Sequence, residues 1–266
     1  VIVQTWMCAF SIEYITTFLL MNIFLILLLL WFPHRTDTGS FYRRVYAILC
    51  ASGVWTCFFD FLTTETLTVT MPILLLLVLR YQAGELESIR QESRRLLCGL
   101  LCWGSSYVIM FITKWLLAVA VLGRQAFEEA MKAAGERIGG TVYLGNTNLD
   151  PEASGMQRFL GAVIRNQGSL FPFRNTMGMG AAAISFLAVL FVCLALIYLF
   201  RSKQFDGRLL LLILMIGAVP YLRYIVLENH AYLHYFFTYR AQLVTVTGVL
   251  FITYELGIRN ILRKKK

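Results

Sequence analysis

The chain is poor in the patterns that mark soluble catalysts and secreted frameworks. Six cysteines (Cys8, Cys50, Cys57, Cys98, Cys102, Cys193) form no C-x-x-C pair and leave the large polar stretch of the middle third empty, which excludes a disulfide or zinc framework and reads as reduced core thiols. Cys98 and Cys102 stand one helical turn apart, too small a set to call for a metal. His230-x-x-x-His234 lacks a glutamate beside its first histidine, so it is not the H-E-x-x-H pattern of a zinc protease. The stretch 118–178 holds no Asn-x-Ser/Thr sequon, and no internal repeat or low-complexity tract stands out, which speaks against repeat-built transporters.

Apolar surface is abundant instead. With 58% hydrophobic residues, 14% aromatics and a mean hydropathy of +0.67, the composition is that of a polytopic membrane protein. A net charge of +9 would suit nucleic acid, but the basic residues gather in short connections between apolar runs, where they orient a chain in a membrane; no nucleic acid is expected.

A bilayer core about 30 Å thick takes roughly 20 apolar residues as a helix. The pattern predicts an all-α polytopic bundle of about seven crossings, over 11–32, 45–62, 67–81, 96–117, 179–200, 209–227 and 240–256. The third, opened by Met71-Pro72, is also short enough to be half of a re-entrant hairpin bending at Thr63 to Thr70. Organisation follows: residues 1–117 hold the first four crossings, 118–178 form a long extracytoplasmic loop, and 179–266 hold the last three with a basic tail.

Short cytoplasmic loops collect Lys and Arg. The basic connections 33–44, 80–95 and 201–208 and the tail with Arg259, Arg263, Lys264, Lys265 and Lys266 all fall on one side of the seven-crossing scheme, so the C-terminus is expected in the cytoplasm of a multi-pass plasma-membrane protein. The amino end then falls outside. Val1 opens without a leader-like basic region, and Glu13 stands just inside the first crossing, so upstream crossings are expected before this sequence. Within the long loop, Phe127, Ala130, Met131, Ala134 and Ile138 make one face of an amphipathic helix over 125–138, and a second run spans 156–164. Such a loop covers a site or docks a partner.

The richest chemistry lies in Glu228-Asn-His-Ala-Tyr-Leu-His-Tyr-Phe-Phe-Thr-Tyr-Arg240, with an acid, two histidines and an arginine among aromatics between apolar runs. Ionisable groups at the edge of hydrocarbon mark a functional site or, on the blander reading, an interfacial belt of Tyr and Phe with hydrogen-bonded neighbours. Asp60, Lys114 and Arg223 fall at the same expected level, and Asp60 is a candidate partner for either cation. In the functional reading, Lys114, Arg223 and Arg240 hold phosphate oxygens, and His230 and His234 face one ligand from i, i+4 positions. Asp60, Glu65 or Glu228 is then the general base on an acceptor hydroxyl. Tyr232, Tyr235, Phe236, Phe237 and Tyr239 stack on sugar or isoprenoid.

Three strings, Phe59-Asp60-Phe61-Leu62-Thr63-Thr64, Thr113-Lys114-Trp115 and Asn229 to Arg240, resemble a group of bacterial polytopic membrane proteins similar in layout to GT-C-type glycosyltransferases that use polyprenyl-phosphate sugars. The resemblance covers most of the chain, in order. It implies sugar transfer from a polyprenyl-phosphate-linked donor to a cell-surface glycan or lipid, at the outer face of a bacterial plasma membrane; the sequence itself requires no metal or soluble cofactor. It also implies an acidic motif in the first outer loop, which Val1 to Ser11 do not carry; either that part lies upstream or the chain is not a complete transferase. Two other classes stay open: a noncatalytic subunit working with other membrane subunits, and a transporter or flippase for a lipid-linked or anionic substrate.

Overall fold

The computed structural model describes residues 12–35, 37–59, 65–138, 154–200 and 207–259, and every regular element among them is helical. Thirteen α-helices run as α1 (Ile12–Trp31), α2 (Thr38–Phe59), α3 (Leu67–Gln82), α4 (Ile89–Leu122), α5 (Arg124–Ile138), α6 (Gly155–Gly168), α7 (Arg174–Met177), α8 (Met179–Phe200), α9 (Gly207–Gly217), α10 (Val219–Val226), α11 (Glu228–Leu233), α12 (Tyr235–Thr238) and α13 (Leu243–Ile252). A 3-10 turn, Tyr239–Gln242, leads into α13, and a π-turn, Thr253–Ile258, follows it.

Among the described residues, four helical stretches are long and apolar enough to cross a membrane: Ile89–Leu122, Met179–Phe200, Gly207–Val226 and Tyr235–Ile258. This is fewer than the seven expected. The apolar stretches Ile15–Trp31 and Leu67–Gln82 are shorter, and α2 carries Arg43 and Arg44 in its first two turns. At 1.5 Å per residue α4 is about 51 Å long, well beyond a hydrocarbon core, so its charged first turns and its apolar remainder lie at different depths. It ends at Gly123, whose φ of 80° and N–H to Val119 O (2.8 Å) form a left-handed glycine stop. The long loop therefore starts at 123 rather than 118. Its two amphipathic runs are α5 and α6, the second reaching four residues past Ile164 to Gly168.

The helices group into two compact units. The first takes residues 1–110, 190–219 and 241–266, and the second takes 111–189 and 220–240. In the first, the core joins Leu28, Leu49, Ile73, Leu77, Leu209, Ile216, Val244 and Ile252 with their neighbours. Polar anchors fix the packing of α2, α3 and α4. The Thr68 hydroxyl donates to Glu65 O (2.9 Å), pairs with the Thr56 hydroxyl (2.8 Å) and accepts Trp103 Nε1 (3.0 Å), all buried. Pro72 has no N–H to offer the carbonyl four residues back; the Ser52 hydroxyl donates to that Thr68 carbonyl at 3.3 Å instead. Gly53 lets α2 approach α4, because a Cβ there would overlap Ser106 Oγ and the Trp103 carbonyl.

These contacts also give directions. Tyr46 Oη meets Arg95 O (3.5 Å), Cys50 Sγ meets Cys102 O (3.5 Å), and Gly53 faces Trp103 and Ser106, so α2 and α4 run parallel. Thr56 beside Thr68 makes α3 antiparallel to both. Thr245 Oγ1 on Gly217 O (2.9 Å) and Gly248 against Ile213 make α13 antiparallel to α9. Arg35 bonds Glu85, Arg80 reaches Glu92, Arg208 donates to Glu87 O and Tyr81 packs on Phe251. The ends of α1, α3 and α13 and the starts of α2, α4 and α9 thus share one end of this unit, and the basic residues of 33–44 and 80–95 sit there together.

Candidate functional site

The second unit carries most of the residues singled out in the sequence. Its centre is α11 packed against α6. Ala162 and Ala231 are fully buried and bring the two backbones close, and Gly161 lies under the Tyr232 ring, where a Cβ would come within 2.8 Å of Cε2. One face of α6, with Phe159, Ala162, Val163 and Asn166, turns inward, at i, i+3, i+4 and i+7 spacing. The other presents Met156, Leu160 and Ile164 outward at i, i+4, i+8.

Asn166 ties the pieces together. Its Nδ2 donates to Ala162 O (2.8 Å) and to Ala231 O (2.9 Å), while its Oδ1 accepts the Thr238 hydroxyl at 2.7 Å. The Tyr224 hydroxyl donates to Thr238 O (3.3 Å) from α10. Three short helices, α10 to α12, are thereby held on α6 although none is long enough to be stable alone.

On this scaffold the ionisable groups take definite places. Arg223 and His230 are buried and meet through Nη2 and Nδ1 at 3.5 Å; the His234 ring lies 4.7 Å from that of His230, as i, i+4 positions require. Glu228 forms an ion pair with Arg158 Nε at 3.1 Å, and both side chains are mostly covered. Arg165 stacks over the Tyr232 ring at 3.9 Å and lies 5.3 Å from that of Tyr235, so its charge is held by aromatic faces. Arg240 is buried, 5.4 Å from the Tyr239 ring and 5.8 Å from that of Phe237.

The structure therefore brings Arg223, His230 and His234 together, pairs Glu228 with a residue outside the expected set, and sets Tyr239 beside Arg240. Lys114 is half-buried on the far part of α4, in this same unit. Glu65 belongs to the first unit, buried at the turn before α3. Asp60 lies outside the described residues. Arg158, Arg165, Asn166 and Thr238 were not anticipated. The i, i+4, i+7 pattern that ends on Arg165 and Asn166 continues the amphipathic run past Ile164 and was the signal for two of them; the Asn166 bond to Thr238 spans 72 residues and leaves no local trace.

Charge is uneven within this unit: α5 carries Glu128, Glu129 and Glu136 beside Arg124, Lys132 and Arg137, whereas the segments around α6 and α10 to α12 are basic. Over 154–189 and 220–240 the chain supplies five arginines (Arg158, Arg165, Arg174, Arg223, Arg240) and a single carboxylate, Glu228. Guanidinium groups and imidazole N–H groups are donors suited to phosphate and carboxylate oxygens. Among the described residues no cluster of three or more His, Cys, Asp or Glu has the geometry to hold a metal ion. No family model matches the chain, and neither a curated protein nor a solved structure matches it.

Proposed function

We propose that this chain is a membrane-embedded, glycosyltransferase-like protein that acts on a lipid-linked sugar donor at the extracytoplasmic face of a bacterial plasma membrane, with about seven crossings and its basic tail in the cytoplasm. The observation that carries the reading is the buried Arg223–His230 contact with the His234 ring tilted beside it, in segments where arginine outnumbers carboxylate five to one. A polyprenyl-phosphate sugar offers what such a group prefers: a phosphate for Arg223 to grip, with Arg240 as a second cation, and a sugar for Tyr232, Tyr235 or Tyr239 to stack on. In the transfer step the acceptor hydroxyl oxygen bonds to the anomeric carbon and the bond from that carbon to the phosphate oxygen breaks. Polyprenyl phosphate leaves with the bonding pair, and the hydroxyl proton passes to a histidine. His234 suits that role better than His230, because His230 Nδ1 is already met by Arg223 Nη2. Glu228, engaged by Arg158, serves to fasten α11 to α6.

The test is binding and turnover with the full chain reconstituted in phosphatidylcholine nanodiscs, using a fluorescent short-chain polyprenyl-phosphate sugar. Arg223→Gln weakens donor binding at least tenfold, the loss of a charge-assisted hydrogen bond. His234→Ala leaves binding within about twofold and lowers transfer by roughly a hundredfold, the usual yield of a general base. Wild-type protein that binds the donor no better than the same lipid without its phosphate sinks the proposal. Binding without turnover, unaffected by His234→Ala, turns it toward a carrier or an assembly subunit.

A further inference from the structure

The first unit gathers charge at one end, and the carboxylates there are internally engaged. Glu85 is held by Arg35 and lies 4.0 Å from Arg80; Glu92, buried, accepts Arg80 Nη2 (2.8 Å), Arg95 Nη1 (2.8 Å) and the Glu87 N–H (3.1 Å); Glu87 accepts Arg95 Nη2 at 2.5 Å. Glu255, also buried, pairs with Arg259 at 2.5 Å. Asp37 turns its two oxygens back onto the Gly39 and Ser40 N–H groups at the start of α2. Each acid among the described residues of this end is thus spent on an arginine or on a helix start.

The remaining cations point outward. Arg43 and Arg44 on α2 and Arg90 and Arg94 on α4 are all exposed, and none is in an ion pair among the described residues. The parallel register fixes them at one level. Tyr46 lies beside Arg95, so the residues two and three positions before Tyr46 stand level with the turn of α4 just before Arg95. α4 then continues into the longest of the stretches apolar enough to cross a membrane. An exposed arginine set immediately before an apolar span lies at headgroup depth when that span is in a bilayer.

We infer that Arg43, Arg44, Arg90 and Arg94 form a docking surface for the phosphate headgroups of anionic phospholipids, rigidly spaced by the α2–α4 contact at Gly53. Orienting a chain needs only basic residues on one side. A headgroup-selective surface needs them fixed relative to one another, and the closed Arg35, Arg80, Arg95 and Glu85, Glu87, Glu92 network beneath supplies that fixity. Near an anionic leaflet each such arginine contributes roughly fivefold in affinity, falling with salt.

The measurement is lipid retention by native mass spectrometry and thermal midpoint for the full chain, in phosphatidylglycerol against phosphatidylcholine nanodiscs. Wild type keeps phosphatidylglycerol at least tenfold over phosphatidylcholine and melts higher in it, with both differences shrinking in high salt. R43Q/R44Q/R90Q/R94Q, whose changes are all at exposed positions, keeps the phosphatidylcholine melting point and loses the preference. R124Q/K132Q, at exposed positions of α5, keeps it. The inference is overturned if wild type shows no preference, if the quadruple variant retains it, or if free inorganic phosphate at millimolar levels reproduces the midpoint shift without lipid. Should the quadruple variant fail to fold, R43Q/R44Q and R90Q/R94Q are compared separately, and an unchanged preference in both overturns it equally.

Discussion

At the scale of single residues, the polar side chains that matter most are those with several partners and no water. Asn166 uses both Nδ2 bonds and its Oδ1 inside the packing of α6, α11 and α12, and is fully buried. Asn166→Ala removes the bonds to the Ala231 carbonyl and from the Thr238 hydroxyl, leaving that hydroxyl its longer contacts with His234 O (3.2 Å) and Ala231 O (3.5 Å). It is expected to cost about 1–3 kcal/mol of local stability, read as faster hydrogen exchange across 228–238 with little change in α2 or α3. Leucine shares the branched shape of asparagine but is bulkier and satisfies neither partner, so Asn166→Leu at this fully buried position fares no better. In the sequence, Glu228, His230 and His234 were legible as a group because an acid and two imidazoles in an apolar context are conspicuous at any spacing. Asn166 was not, since one amide at the edge of an amphipathic run looks like any solvated residue until its partners, 65 and 72 positions away, are known.

At the scale of elements, helix ends carry information that the hydrophobic pattern alone does not. Ser154 and Gln157 close a reciprocal capping box at the start of α6, with the Gln157 N–H donating to Ser154 Oγ (3.3 Å) and Ser154 N–H to Gln157 Oε1 (2.7 Å). Ser154→Ala is expected to destabilise α6 by about 1 kcal/mol. Because α11 and α12 rest on that helix, circular dichroism and proteolysis at 154–168 together report whether the loss spreads to them. Periodicity placed α5 and α6 to within a few residues. The break of the sixth expected crossing into α9 and α10 around Ala218, just before Pro220, was hidden inside a continuous apolar run, where hydropathy has no vocabulary for a kink. The short helices α10 to α12 likewise follow from tertiary hydrogen bonds rather than propensity.

At the scale of the whole molecule, the charge layout sets how the protein responds to its surroundings. The Glu87 carboxyl is held below its ordinary value of 4.5, first by the hydrogen bond from Arg95 and then by the nearby arginine charges; Asp37 is held below 3.8 by the Ser40 N–H. A carboxyl lowered on folding contributes stability that is fully present above its unfolded value and is lost as pH falls through the lowered one. Thermal midpoints are therefore expected to hold from neutral pH to about 5 and to drop below 4.5; Glu87→Gln should lower the neutral midpoint slightly and shrink the acid drop by the same small amount, because what a half-exposed pair contributes at neutral pH is all that acid can remove. That the basic stretches 33–44 and 80–95 share one end was readable from loop composition alone; most of 201–208 and of the tail lies outside the described residues. The number of crossings was less so, since length and apolarity single out four helical stretches and the rest depends on how α1, α2 and α3 shelter one another. The Thr56, Thr68 and Trp103 junction has one more consequence. During synthesis Thr68 leaves the ribosome 35 residues ahead of Trp103, and Thr56 another 12 before that, so a nascent chain holds α2 and α3 with an indole donor still to come. Chains stalled before residue 103 should expose α2 to quality-control proteases, and those stalled just after α4 emerges should not.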